Sequence, residues 1–155
     1  MSKNILVTGC NGQLGSEFKN LELKYPEFKF FFKDLDLDIS NKQGLDNFIS
    51  NQKINIILNT AAYTNVNMAE VEKKKADLIN SFSVKNLVEL SEKYHCKLIH
   101  YSTDYVYCGL DKKEIEENSP KNPLNYYGIS KRNGEVFVEK SLSESIIIRT
   151  SWLYS

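Results

Sequence analysis

A doubly wound α/β fold, a parallel sheet with helices on both faces, is what this 155-residue sequence predicts. Three observations carry the prediction. Five short apolar runs read as strands, longer segments with apolar residues three and four apart separate them, and glycines cluster where the first run meets the first such segment.

The strand candidates are "NILVTG" (4–9), "FKFFF" (28–32), "INIILN" (54–59), "KLIHYS" (97–102) and "SIIIRT" (145–150). They are β-branched or aromatic and apolar nearly throughout, as strands buried on both faces should be. The helical candidates are "QLGSEFKNLELK" (13–24), "KQGLDNFISNQ" (42–52), a long stretch from about Ala69 to Tyr94, and "YGISKRNGEVFVEKSL" (127–142). Strand, helix, strand repeated in this way builds right-handed crossovers onto one sheet.

Length supports one core and is short for two ordinary domains. With 41% hydrophobic residues, 26% charged residues and a formal net charge of zero, the chain reads as soluble, and its charge makes no case for a nucleic-acid partner. No stretch approaches the roughly 18 apolar residues of a membrane span, and "MSKNILVTG" carries no apolar leader, so a cytoplasmic location without membrane contact is expected. Cys10, Cys96 and Cys108 form no CxxC pair, which indicates neither a disulfide framework nor a zinc site. "EVEKKK" (70–75) and "DKKEIEEN" (111–118) mix signs and read as a solvated helix face and a surface loop. The fifth strand candidate runs into "SWLYS", so the sequence reads as the front part of a longer polypeptide.

"TGCNGQLG" sets Gly9, Gly12 and Gly15 between the first strand and the first helix, with Gln13 and Leu14 opening that helix. Glycines here allow a tight turn and close backbone approach to a pyrophosphate on the positive helix end, which predicts a Rossmann-like NAD(P)-binding fold. Ligands lie across the carboxyl edge of such a sheet. Asp38 and Ile39 are placed there to flank an adenine, and small Ala61 and Ala62, followed by Tyr63 and Thr64, to let the backbone approach the cofactor. An acidic group ending the second strand suits NAD and a basic one NADP; Lys33 and Asp34 are adjacent, so NADH and NADPH both stand.

In "NYYGISK" only Tyr127 precedes a lysine by four residues, which on a helix puts Tyr127 and Lys131 on one face. A cation beside a phenol is expected to lower its pKa from about 10 toward the range useful for proton transfer. Ser102 and Thr103 end the fourth strand and add hydroxyls to the set.

Together these residues resemble the extended short-chain dehydrogenase/reductase superfamily and, within it, the dTDP-4-dehydrorhamnose reductase family. The resemblance rests on "TGCNGQLG", "LDIS", "NTAAYTNVNMAE", "HYSTDYVY", "NPLNYYGISKRNGE" and "IIRTSWLY", in the family's order over nearly the whole chain. It implies NAD(P)H-dependent reduction of the C4 keto group of dTDP-4-dehydro-L-rhamnose to dTDP-L-rhamnose, a polysaccharide precursor. Tyr127 is then the proton donor, Lys131 holds the nicotinamide ribose, Thr103 bonds the substrate oxygen, Ser102 supports it, and Asp104, Tyr105 and Trp152 meet the nucleotide sugar. Sugar-nucleotide 4,6-dehydratases look like "STDEVYG" where this chain has Tyr105 in place of the glutamate, so reduction is favoured over water elimination. Asn67 and Ser119 stand where the family tends to have Asp. Asn80 matches a helix asparagine of the superfamily and reads equally as a polar residue packed between helices.

The resemblance also implies a second, smaller substrate domain, which this chain lacks; residues 1–155 would bind dinucleotide, and the isolated chain would lack substrate capture. It allows a homodimer, and it leaves two rivals: a non-catalytic subunit like the regulatory subunit of methionine adenosyltransferase, and a reductase or epimerase of another nucleotide sugar. No metal is expected. His95 and His100 have no second ligand at metal spacing and read as structural, and neither Cys10 nor Cys108 has the paired base of a thiol nucleophile.

Overall fold

A computed structural model describes residues 2–109 and 114–153. The first part of the "DKKEIEEN" run (111–113) and the last two residues of "SWLYS" lie outside the described residues. The strands are β1 (Lys3–Thr8), β2 (Phe28–Lys33), β3 (Ile56–Asn59), β4 (Lys97–Thr103) and β5 (Ser145–Thr150). All pair in parallel, in the order β2-β1-β3-β4-β5. The helices are α1 (Gln13–Leu21), α2 (Lys42–Gln52), α3 (Val66–Ala69), α4 (Lys73–Asp77), α5 (Ser83–Tyr94) and α6 (Tyr126–Glu139). The doubly wound architecture is the expected one, and the order places its switch point between β1 and β3, where a ligand crevice belongs.

Alternation along the strands splits the core in two. Leu6, Ile57 and Leu98 face Leu45 and Ile49 of α2 and Leu87 of α5, while Ile5, Val7 and Leu58 face the other side with Phe18 of α1. The central strands are buried as predicted. The edge strands are not: β2 is half-buried, and Ile146 and Ile148, on the less covered face of β5, are 41% and 37% exposed, while Ile147 on the opposite face packs against the core.

The single long helix expected over 69–94 is instead three pieces. Between α4 and α5 the chain widens into a π-helical turn, Leu78–Phe82, whose loosened backbone is pinned by Ser83 Oγ donating to the Leu78 carbonyl at 2.7 Å. A Cβ on Gly134 of α6 would fall 2.1 Å from the Asn80 carbonyl oxygen, so α6 lies directly against this turn and only glycine fits. π-turns of this kind concentrate at functional sites. Among the described residues, no helix is long and apolar enough to cross a membrane.

Candidate active site

A cleft of about 830 Å³ runs along the carboxyl ends of the strands, from the glycine loop to the β5 end. Every residue placed above in contact with cofactor or substrate lines it, from Gly9 to Trp152, and so does Asp34, whereas Lys33 does not. Its size is that of a ligand site.

The glycine loop is built by steric necessity. Gly9 has φ +66°, and a Cβ there would lie 2.6 Å from Ala61 Cα; a Cβ on Gly15 would lie 2.2 Å from the Gly9 carbonyl oxygen. Gly12 caps α1 with no side-chain acceptor, and the first turn carries no acidic residue, which leaves the opening N–H groups of α1 facing the cleft. That positively polarised helix end fits a dinucleotide pyrophosphate. Gln13 reaches across the cleft mouth and donates to the Leu153 carbonyl at 3.0 Å.

The Ala61–Thr64 segment is held by Asn80 of the π-turn, which is 1% exposed. Asn80 Oδ1 accepts from Tyr63 N at 2.8 Å, and Nδ2 donates to the Tyr63 carbonyl and to Ser130 Oγ, both at 3.0 Å. Of its two readings, packing between helices describes it only in part: it clasps the cofactor-side loop to α6. Tyr63 donates its hydroxyl to Glu72 at 2.6 Å, a bond that, with burial, pushes the phenol up to about 12. Glu70 likewise accepts from Tyr126 N at 2.7 Å. The 70–75 run is therefore more than a solvated face; its glutamates tether two loops while its lysines are exposed.

At the other end, Asn125 caps α6 through Gly128 N, and a Cβ on Gly128 would strike the Tyr105 carbonyl oxygen at 2.3 Å. This contact presses α6 onto the turn after β4 and sets the Tyr127 and Tyr105 rings edge to face, 5.6 Å apart. Thr103 Oγ1 donates to Asp104 Oδ1 at 3.0 Å and accepts from Tyr105 N at 3.2 Å. Tyr105 and Trp152, 41% and 80% exposed, stand at the mouth.

One expectation is overturned. Lys131 does not bring the Tyr127 phenol down: burial pushes it above its ordinary value, opposed by the Thr103 hydroxyl and helped by the Asp104 and Tyr105 charges. The reason is where the ammonium goes. Lys131, 2% exposed, donates to the Tyr101 carbonyl at 2.7 Å. Burial drives its pKa down to about 8 from the ordinary 10.5, against the pull of Glu135. Between those values the folded chain binds fewer protons than the unfolded chain, so its stability rises with pH. Relative to Lys131→Met, the wild-type chain should gain up to about 3 kcal/mol as pH rises from about 8 to 10.5. Urea unfolding across that range checks it; a flat difference between the two proteins would refute the buried-lysine assignment.

A polar row that the sequence did not announce crosses the sheet beneath this site. Thr8 Oγ1 donates to Asn59 Oδ1 at 2.8 Å, and Asn59 Nδ2 meets His100 Nδ1 at 3.0 Å. Strand register explains it, since Thr8 pairs with Asn59 and Asn59 with His100. With Asn59 Oδ1 taken by Thr8, its amide must donate, so His100 Nδ1 accepts. Burial, with the Lys131 charge second, holds His100 well below its usual pKa and neutral. Its structural reading is thus sharpened to a neutral core acceptor. Among the described residues no group of three or more His, Cys, Asp or Glu side chains could hold a metal ion.

Comparison with known proteins places the chain. Residues 3–155 match the family model described as RmlD substrate binding domain. The chain is 36% identical over 151 residues to a dTDP-4-dehydrorhamnose reductase of Aggregatibacter actinomycetemcomitans and 35% identical over 155 residues to that of Escherichia coli K12. These alignments cover 97% and 98% of this chain but 51% and 52% of the relatives, so the chain spans about half their length. A crystal structure of dTDP-4-dehydrorhamnose reductase from Bacillus anthracis in complex with NADP superposes with a TM-score of 0.94 at 37% identity, over 99% of this chain and 55% of that one. With the family model matched from the first strand onward and relatives more than 30% identical over nearly the whole chain, the chain belongs to the RmlD family of dTDP-4-dehydrorhamnose reductases, within the extended short-chain dehydrogenase/reductase superfamily.

Proposed function

We propose that the cleft takes a reduced nicotinamide dinucleotide and reduces the C4 keto group of dTDP-4-dehydro-L-rhamnose, giving dTDP-L-rhamnose. The observation that carries this reading is the convergence of Thr103, Tyr127 and Lys131 at the end of the cleft opposite an anion-ready glycine loop. The names of the curated relatives and the NADP held by the Bacillus anthracis protein support it. When bound, the dinucleotide supplies hydride.

The residues supply everything else. Tyr127 is kept protonated by burial, which is the state a proton donor needs, and gives its proton to the developing alkoxide oxygen. Thr103 shares the Tyr127 hydroxyl's surroundings and offers the same oxygen a hydrogen bond by releasing Asp104. Lys131, anchored on the Tyr101 carbonyl, is positioned beneath the ribose and places a positive charge near the site without neutralising the phenol. Asp104 is tied to Thr103, and Tyr105 offers a phenol where elimination would call for a second carboxylic acid, so the set serves carbonyl reduction. Tyr105 and Trp152 at the mouth meet the sugar nucleotide.

The test is to mix the intact protein with reduced dinucleotide and dTDP-4-dehydro-L-rhamnose and follow nicotinamide absorbance and product together. Oxidation of the dinucleotide matched mole for mole by dTDP-L-rhamnose is expected. Tight dinucleotide binding with no oxidation, persisting when the substrate domain is also present, would instead make the protein a binding module.

A further inference from the structure

We propose that His100, Ser102 and Lys131 seat a buried water between β4 and α6, and that through this water His100 acts as a positioning residue for Lys131. The seat stands on its own geometry, and its effect on turnover rests on the reading of the cleft as a reductase site.

Strand alternation puts His100 and Ser102 on the same face of β4 as Leu98, which packs in the core beneath α5 and Val138 of α6. Lys131 comes down from α6 onto the carbonyl of the residue between them, Tyr101, at 2.7 Å. β3 ends opposite His100, so Tyr101 is the first residue of β4 beyond that pairing. His100, Ser102 and Lys131 are 0%, 6% and 2% exposed, and the Lys131 charge acts on the imidazole.

Each of the three has hydrogen-bonding capacity left over. His100 Nδ1 accepts from Asn59, so the neutral ring carries its proton on Nε2, and that buried donor has no partner among the described residues. Ser102 Oγ is likewise buried without a partner among them. The Lys131 ammonium has three N–H groups and makes one hydrogen bond among the described residues. His100 Nε2 and Lys131 Nζ are both donors and cannot bond each other; an acceptor between them joins both. A water that accepts from the two nitrogens and donates to Ser102 Oγ satisfies all three, and about three partners is the usual number for a buried water.

Such a water gives the ammonium a second acceptor beside the Tyr101 carbonyl and so fixes where its charge sits. The other charges around it are already engaged. Glu135, which acts on Lys131 from α6 itself, is shared by Arg132 and by Arg149 of β5. Asp104 beyond β4 accepts from Thr103, and Asp77 of α4 accepts from the Tyr126 hydroxyl. Loss of the water would remove an acceptor that only the charged amine needs, so the Lys131 pKa would fall further below its value of about 8.

A high-resolution crystal structure of the intact protein should show one water within hydrogen-bond distance of His100 Nε2, Ser102 Oγ and Lys131 Nζ. Nitrogen NMR should find His100 neutral and protonated on Nε2 through the ordinary histidine range, with a shift near pH 8 that disappears in Lys131→Met. His100→Phe, which removes the donor and fills the seat, should move the alkaline fall of kcat to lower pH by about 0.5–1 unit. His100→Gln, which keeps a donor at the place of Nε2, should recover most of that shift, whereas a purely structural role would alter thermal unfolding and leave the pH limb in place. No water at the seat, a proton on Nδ1, or an unmoved limb in a folded His100→Phe protein overturns the proposal. Should His100→Phe not fold, the crystal and NMR results on the wild type decide. Should the protein reduce no keto-sugar, the reductase reading falls and those two results still decide the seat.

Discussion

Replacing Tyr127 by Phe should lower kcat for keto-sugar reduction by about 10²- to 10⁴-fold, the usual size of a general-acid contribution. Dinucleotide affinity should stay nearly constant. The substitution removes one oxygen and keeps the ring, which is what packs edge to face on Tyr105, so α6 and the Gly128 contact remain. What disappears is the only change that matters to the reacting carbonyl, a buried O–H that the Thr103 hydroxyl can reach. Because burial raises the Tyr127 phenol and lowers the Lys131 ammonium to about 8, a fall in the wild-type rate above pH about 8 should follow Lys131, and the phenol should stay protonated past the ordinary tyrosine range. The measurement is a pH profile of kcat for both proteins beside a dinucleotide titration. A Tyr127→Phe protein that turns over at wild-type rate would remove Tyr127 from the chemistry.

The largest effect on stability should come from Glu135, far from any substrate. Its carboxylate is wholly buried and accepts from Arg149 Nε at 2.7 Å, Arg149 Nη2 at 3.0 Å and Arg132 Nη1 at 3.0 Å. Arg149, in turn, donates to the Tyr107 hydroxyl and the Glu117 carbonyl, tying α6, β5 and the segment beyond β4 into one knot. Glu135→Ala removes the buried carboxylate that both guanidiniums share and leaves them only the more exposed Glu139, to which Arg132 already donates at 2.6 and 2.9 Å, and should cost about 3 kcal/mol in urea or thermal unfolding. Replacing both Glu135 and Arg149 by apolar residues of similar volume should cost less than Glu135→Ala alone. A single-mutant loss below about 1 kcal/mol would mean the knot is no more than a surface pair.

Much of this was readable from the residues because local rules govern it. The five strands, the α2 bounds and the glycine loop follow from apolar periodicity and from chemistry confined to a few neighbouring positions. The features that escaped depend on pairing across the chain. Asn59 and His100 look unremarkable until register sets Thr8, Asn59 and His100 abreast. The π-turn at Leu78–Phe82 inserts itself into an unbroken helical pattern because Asn80 must meet both Tyr63 and Ser130. The direction of the Tyr127 shift failed for a similar reason: a four-residue spacing places Lys131 on the right face, but the Tyr101 carbonyl on β4 claims its ammonium. Gly128 and Gly134 gave one available signal, two glycines at a six-residue interval inside a helix, where glycine costs stability unless another backbone needs the space.

The contact between Gly128 and the Tyr105 carbonyl has a consequence for anyone redesigning this scaffold. The turn that would grip the sugar and the helix that carries the phenol share a single backbone interface with no side chain to cushion it. A loop swapped in at 104–108 to accept another sugar would push on α6 directly, so recognition and proton delivery cannot be exchanged as separate modules. Transplants should therefore move the turn and the first half of α6 as one cassette.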